Sequence, residues 1–240
     1  MKELKVEAIA VDIDGTITDS KRRLCNSAME AIRKAEALGV PTIIVTGNLV
    51  TFGYATATLL GATGGVVCEN GGVIFKEGLN NNRVDILITK EYVNKANQHL
   101  INKIGPKIEK ITSDDDNYRE TEIAYYKLIE REAIEKALED FEDLDKIELY
   151  DSGFAIHLTD KRVNKGSSLK LLCEKTGINI KHVMAIGDSE NDIDFLKVAG
   201  IKVSVANADE ALKQQSDYVC RKSYGDGVQE AINKFVIGDE

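Results

Sequence analysis

Three short apolar runs in this chain each stop abruptly at a polar turn, and a helical pattern follows each of them. Leu4 to Val11 alternates, then turns wholly apolar until it meets Asp12. Pro41 to Val45 ends at Thr46-Gly47-Asn48, and His182 to Ile186 ends at Gly187-Asp188-Ser189. Short apolar runs bounded by turns read as strands buried on both faces, which a sheet covered by helices provides. The helix expected from about Ser27 to Leu38 puts Ala28, Ile32, Ala35 and Leu38 on one face. Asn26 or Ser27 can cap it, and Gly39 fits its stop. Another runs to about Leu60, and further helices are expected over Lys165–Glu174, Glu190–Val198 and Gly227–Phe235, with a strand over Ile201–Val205. This alternation predicts an α/β fold, a Rossmann-like parallel sheet with helices on both faces.

The middle of the chain follows another order. From about Asn82 to His157 the pattern is helix (Lys90–Asn102), strand (Ile123–Ile129), helix (Arg131–Phe141) and two strands (Ile147–Tyr150, Phe154–Leu158). That order suits a small inserted α+β unit with antiparallel pairing. Residues 82–157 hold 18 acids against 11 bases, most of the chain's net charge of −9. The Asn80-Asn81-Asn82 stretch reads as a linker. The expected organisation is one α/β core, residues 1–81 and 158–240, split by an inserted module at 82–157.

Composition narrows the function classes. With 240 residues the chain is long enough for a large core. No apolar run approaches the length that crosses a bilayer, and the start has neither the apolar stretch nor the cleavage site of a signal peptide. A net acidic chain without a basic stripe is a poor binder of nucleic acid or anionic membrane. Cys25, Cys68, Cys173 and Cys220 are far apart with no paired spacing, so reduced thiols in a cytoplasmic protein are expected. His99, His157 and His182 have no metal-ligand spacing.

Four short motifs carry the chemistry. In Asp12-Ile13-Asp14-Gly15-Thr16, two acids two apart follow a buried strand and can project into the crevice at the sheet's carboxyl edge. Two close, buried anions repel, so a divalent cation is a natural partner; an Asp-Gly turn with solvated acids is the plainer alternative. A calcium loop of the EF-hand kind fits badly, since Gly15 falls at its fourth position and Arg23 at its twelfth. Thr46-Gly47 offers a hydroxyl and backbone N–H groups running into a helix start, suited to an anion or to a simple cap. Lys165, in Asn164-Lys165-Gly166, opens a helix where the dipole disfavours a cation, so it wants an anionic partner or solvent. In Gly187-Asp188-Ser189-Glu190-Asn191-Asp192, Asp188 and Asp192 lie one helical turn apart, and capping accounts for only part of the acidity. Together these groups suit a divalent metal and an anion with tetrahedral oxygens.

In order, DIDGT, the strand-end TGN, the NKG lysine and GDSEND resemble the four motifs of the haloacid dehalogenase (HAD) superfamily. The resemblance covers both flanking segments, and the insert sits between the second and third motifs, where type II caps occur. Glu69-Asn70-Gly71-Gly72 is also like that branch, and the short cap is most like the archaeal phosphoglycolate phosphatases. The resemblance implies a HAD fold with a small α+β cap and phosphatase activity on a small phosphorylated metabolite. It implies Asp12 as nucleophile and Mg²⁺ ligand, and Asp14 as general acid and base whose backbone carbonyl binds the metal. It also implies Thr46, Gly47 and Lys165 on the phosphoryl group, and Asp188 and Asp192 at the Mg²⁺. A monomer or homodimer is expected, with phosphoglycolate or a sugar phosphate as substrate. Arg83, Arg119, Lys127 and His157 are the candidates in the insert for meeting a substrate's carboxylate.

Other classes fit less well. A receiver-like phospho-accepting switch has similar groups but about half this length. No GxGxxG follows the first strand, no Gly-Lys dipeptide of a P-loop exists, and no GxSxG elbow is present. A mutase of the same superfamily keeps both acids of the first motif and stays open.

Overall fold

The computed structural model describes residues 5–105, 107–153 and 155–238, so Leu4 and Phe154, the first residues of two expected strands, lie outside the described residues. The chain opens with β1 (Ala8–Val11), α1 (Asn26–Ala37), β2 (Thr42–Val45), α2 (Val50–Leu60), β3 (Gly65–Cys68), β4 (Val73–Phe75) and β5 (Asp85–Ile86). Next come α3 (Glu91–Ile104), α4 (Lys107–Ile111), β6 (Ile123–Tyr126), α5 (Arg131–Leu138), β7 (Ile147–Asp151) and β8 (Ala155–Asp160). The last stretch holds α6 (Lys165–Thr176), β9 (Val183–Gly187), α7 (Ile193–Val198), β10 (Ile201–Ser204), α8 (Glu210–Lys213), β11 (Tyr218–Val219) and α9 (Tyr224–Ile232).

Eight strands form the large sheet in the order β11-β10-β9-β1-β2-β3-β4-β5. Those from β11 to β3 are parallel, and β4 and β5 extend the edge antiparallel. The α/β expectation holds, and the sheet gains four strands that no expected run covered: β3, β4, β5 and β11, of four, three, two and two residues. Successive β1 side chains point to opposite faces. Ile9 and Val11 join a core built with α1, α2 and α9, while Ala8 and Ala10 join one built with α6, α7 and α8. Small alanines there let the second helical layer approach the strand closely. From β1 the sheet grows through β2 on one side and β9 on the other, so a crevice opens at its carboxyl ends.

The insert carries its own antiparallel sheet, β6-β8-β7. Ile123 pairs with Leu158 and Tyr125 with Ile156, and these pack on α3 and α5 through Val93, Leu100, Ile134 and Leu138. The alternate residues, Ala124 and Tyr126 on β6 with Ala155 and His157 on β8, line a cavity shared with the first and second motifs. One sheet face is therefore core and the other faces the crevice, as the period of two requires. β6 stops at Tyr126, short of the expected Ile129, because a turn begins there. Asn80, Asn81 and Asn82 all take left-handed backbone angles in a tight turn, which asparagine tolerates better than most residues. Among the described residues no helix is long and apolar enough to cross a membrane.

The start of α6 packs so closely on α7 that a Cβ on Gly166 would overlap the Asp194 carbonyl. Gly166→Ala is expected to lower unfolding stability by about 1–3 kcal/mol in urea titration, as overpacking does. A loss within experimental error would mean that the two helices separate without strain.

Candidate active site

Asp12, Thr46 and Asp188 directly follow β1, β2 and β9, or end them, so the adjacent parallel strands deliver them to one edge. Sheet bonding continues into these residues: the Asp12 amide donates to the Ile186 carbonyl at 3.1 Å and the Thr46 amide to Val67 at 2.8 Å. Lys165 arrives from a different direction. It is the first residue of α6, where Asn164 and Ser167 form a reciprocal cap and the Ser168 hydroxyl donates to the Gly71 carbonyl at 2.6 Å. That placement drives the ammonium inward, donating to Asp12 Oδ1 at 2.9 Å and Asp192 Oδ1 at 2.6 Å. Lys165 and Asp192 are fully buried and Asp12 almost so.

Such a cluster has strong mutual electrostatics. Burial pushes Asp12 well above the ordinary carboxylate range; Lys165 opposes this, while Asp192 and Asp188 add to it. Burial and then the Asp192 charge push Asp188 up to about 7, against the Thr16 hydroxyl that donates to it at 2.6 Å. For Lys165 burial works against the charge, yet Asp12 and Asp192 overcome it and hold the ammonium above its usual value. The ammonium therefore stays charged, and its neutralising power is divided between two carboxylates.

Asp192 Oδ2 accepts the amides of Asp188 at 2.9 Å and Ser189 at 3.1 Å, so Asp192 fastens its own turn as well as Lys165. Gly15, at φ +89°, passes so near Asp188 that a side chain there would collide with the carboxylate. Asp14 stands in the neighbouring cavity, where Asn48 Nδ2 donates to it at 2.6 Å and Arg22 Nε at 2.8 Å. Thr46 Oγ1 accepts from the Asn48 amide at 3.1 Å, and Thr46 and Gly47 line the same cavity.

Asp12, Asp188 and Asp192 each offer a carboxylate oxygen, and these oxygens all lie within 4.8 Å of one another. An all-oxygen set with three carboxylates and one ammonium suits a hard divalent cation, whose charge would settle the excess of anions.

The sequence matches the profile of the haloacid dehalogenase-like hydrolases over residues 9–148 and 87–232. The chain belongs to this family. A protein of Methanobrevibacter smithii named phosphoglycolate phosphatase is 64% identical over 98% of this chain and 100% of its own length. One of the same name from Methanothermobacter thermautotrophicus is 49% identical over 96% of this chain and 99% of its own. Among solved structures, a Thermoplasma acidophilum protein superposes with a TM-score of 0.83 at 26% identity, covering 98% of this chain and 100% of that one. A HAD subclass IIB sugar phosphatase has the same fold, with a TM-score of 0.76 at 21% identity over 97% of this chain and 100% of that one.

Within this HAD-like frame, every residue singled out from the motifs lies in the buried cluster or in the cavity beside it. Sequence reasoning passed over Thr16, Asn48 and Arg22 as site residues, although the first two stand inside quoted motifs. Arg22 gave no local signal, since a left-handed bend at φ +59° brings it back onto Asp14. Of the four candidate groups in the insert, Arg119 and His157 reach this cavity; Lys127 lines a different one and pairs with Asp151 at 2.8 Å, and Arg83 is exposed.

Replacing Lys165 by Met leaves Asp12 and Asp192 buried without their cation. A loss of about 3–5 kcal/mol is expected in chemical denaturation at pH 8. The loss should shrink at pH 5, where Asp12, already raised by burial and now without its cation, can take up a proton. Equal losses at both pH values would show that the ammonium does not neutralise this cluster.

Proposed function

We propose that this HAD-like protein is a Mg²⁺-dependent phosphatase that cleaves 2-phosphoglycolate to glycolate and phosphate through an aspartyl-phosphate. The observation that carries the chemistry is the buried ammonium of Lys165 held between Asp12 and Asp192, with Asp14 in the adjoining cavity. The substrate rests on the end-to-end likeness to the Methanobrevibacter protein named phosphoglycolate phosphatase. In this reading an Asp12 oxygen attacks phosphorus, and Asp14 gives its proton to the departing alkoxide. Asp14 then takes a proton from the water that attacks the aspartyl-phosphate, freeing phosphate and restoring Asp12. Lys165, Thr46 and the turn at Gly47 hold the phosphoryl oxygens in line. Asp12, Asp188 and the Asp14 carbonyl would hold Mg²⁺, with Asp192 close behind. The cation supplies charge neutralisation at the transferring phosphoryl group.

The inserted module, expected over residues 82–157 between core segments 1–81 and 158–240, would act as the cap that excludes water, although β5 (Asp85–Ile86) lies in the core sheet and β8 carries the module's sheet on to Asp160. In this reading the protein works in the cytoplasm, which four free cysteines support, and as a monomer or homodimer. A sugar-phosphate phosphatase is the second reading. The cavity between the motifs and the insert measures about 620 Å³, room for a leaving group larger than glycolate.

Phosphate release from a panel of monoesters, with Mg²⁺ and with EDTA, tests the proposal. Release from phosphoglycolate with Mg²⁺ and none with EDTA is expected, and preference for hexose phosphates would transfer the assignment to the second reading. Asp12→Asn should abolish turnover while circular dichroism stays native; near-wild-type activity would remove Asp12 from its role. Because burial and Asp192 bring Asp188 up to about 7, a cation competes there with a proton. Apparent Mg²⁺ affinity from thermal-shift titration should weaken by about tenfold per pH unit below that value and level off above it. A flat profile from pH 5.5 to 8 would contradict the assignment of Asp188.

A further inference from the structure

We propose that Arg119 is the residue that reads the carboxylate of the leaving group, and that Asp115 occupies its guanidinium until the substrate's own carboxylate displaces it. This rests on the reading of the chain as a phosphatase of phosphoglycolate. A carboxylate separated from the phosphoryl group by one carbon and one ester oxygen lies only a few ångströms from it. Its partner must therefore stand beside the phosphoryl-binding turn. Arg119 does: its Nη1 donates to the Gly47 carbonyl at 2.9 Å. It lines the cavity that also holds Asp12 and Asp14, with its side chain only 4% exposed.

Other basic groups of the insert are less suited. Lys127 belongs to a separate cavity, and Arg83 is exposed. His157 lines the cavity, but its Nδ1 is bonded to Glu122 at 2.8 Å and its Nε2 lies 3.2 Å from the Ser152 hydroxyl. It stands as a support for Glu122.

Two carboxylates hold Arg119, and they differ in what they can do. Glu122 is buried, bonds to Arg119, and accepts from His157 and from Asn70 Nδ2 at 2.8 Å, so it is fixed from three sides. Asp115 takes the other edge of the fork, Nε to Oδ1 at 3.4 Å and Nη2 to Oδ2 at 3.1 Å, and its side chain is 39% exposed. Asp115 also lines the cavity. Its two-point contact is the one a substrate carboxylate would make, with the same charge and geometry. Exchanging one carboxylate for the other leaves the charge balance around Arg119 unchanged, while Glu122 keeps the guanidinium in place.

The test compares phosphoglycolate with ethyl phosphate, which has the same ester bond and no carboxylate. In Arg119→Gln, the ratio of kcat/KM for phosphoglycolate to that for ethyl phosphate should fall about 100-fold, the scale of a lost charge-assisted pair. In Asp115→Asn, the ratio should rise several-fold through a lower KM for phosphoglycolate, because an internal competitor has been weakened. A merely structural Arg119 would lower both substrates together and leave the ratio unchanged, overturning the proposal. An unchanged or higher KM for phosphoglycolate in Asp115→Asn would overturn the exchange, and that variant serves should Arg119→Gln fail to fold. If the wild type prefers phosphoglycolate and Arg119→Gln keeps that preference, the arginine assignment alone fails. If the wild type shows no preference, the substrate reading fails with it.

Discussion

A single buried ammonium organises this protein. Lys165 joins groups 153 and 27 positions away in sequence, Asp12 after β1 and Asp192 in the turn after β9, with its own side chain buried between them. An ion cluster so buried is retained only when its geometry satisfies every member, since desolvation alone would dismantle it. Here the supporting bonds are plentiful: the Asn164–Ser167 cap, the Ser168 bond to Gly71, and the two amides on Asp192. Each fixes a different segment against the same point. The helix layer over the sheet, the turn behind the first motif and the residues leading out of the insert are thereby held in one arrangement.

The insert is joined to the core through polar contacts. Glu69, buried and with a left-handed backbone, accepts the Thr121 amide at 2.8 Å, the Thr121 hydroxyl at 2.8 Å and the Glu120 amide at 3.0 Å. Asn70, beside it, connects Glu122 of the insert to Asn191 of the last motif. Burial, with the Glu122 charge next, raises Glu69 above its ordinary range, and the Thr121 and Glu120 donors hold it back. For Glu122 burial is likewise the largest influence, but His157 and Arg119 outweigh it and keep this carboxyl below its ordinary range. A polar junction of this kind gives direction, because each donor has one acceptor in reach, where an apolar one would slide.

Much of the site could be read from the chain because strand ends are local features. Asp12, Thr46 and Asp188 were placed at one edge by the rule that parallel strands share their carboxyl ends. Lys165 could not be placed that way: 119 residues separate it from Thr46, and its side chain reaches the cluster only through the packing of α6 on α7. The acids on α5 and just after it face solvent, with Glu132, Glu135, Glu139 and Asp140 all exposed. Asp114 and Asp115 instead turn toward the cavity, and Glu122 is buried. All three lie outside regular strands, in the loop before β6, where no periodicity sets the direction of a side chain. The short strands β3, β4, β5 and β11 carry too few residues for a period to show.

The charge of the central cluster also favours one order of binding. Three carboxylates face one ammonium, so the pocket repels a phosphate dianion that arrives alone. A cation arriving first meets the opposite situation and is drawn in. A divalent metal would therefore enter before a phosphorylated substrate.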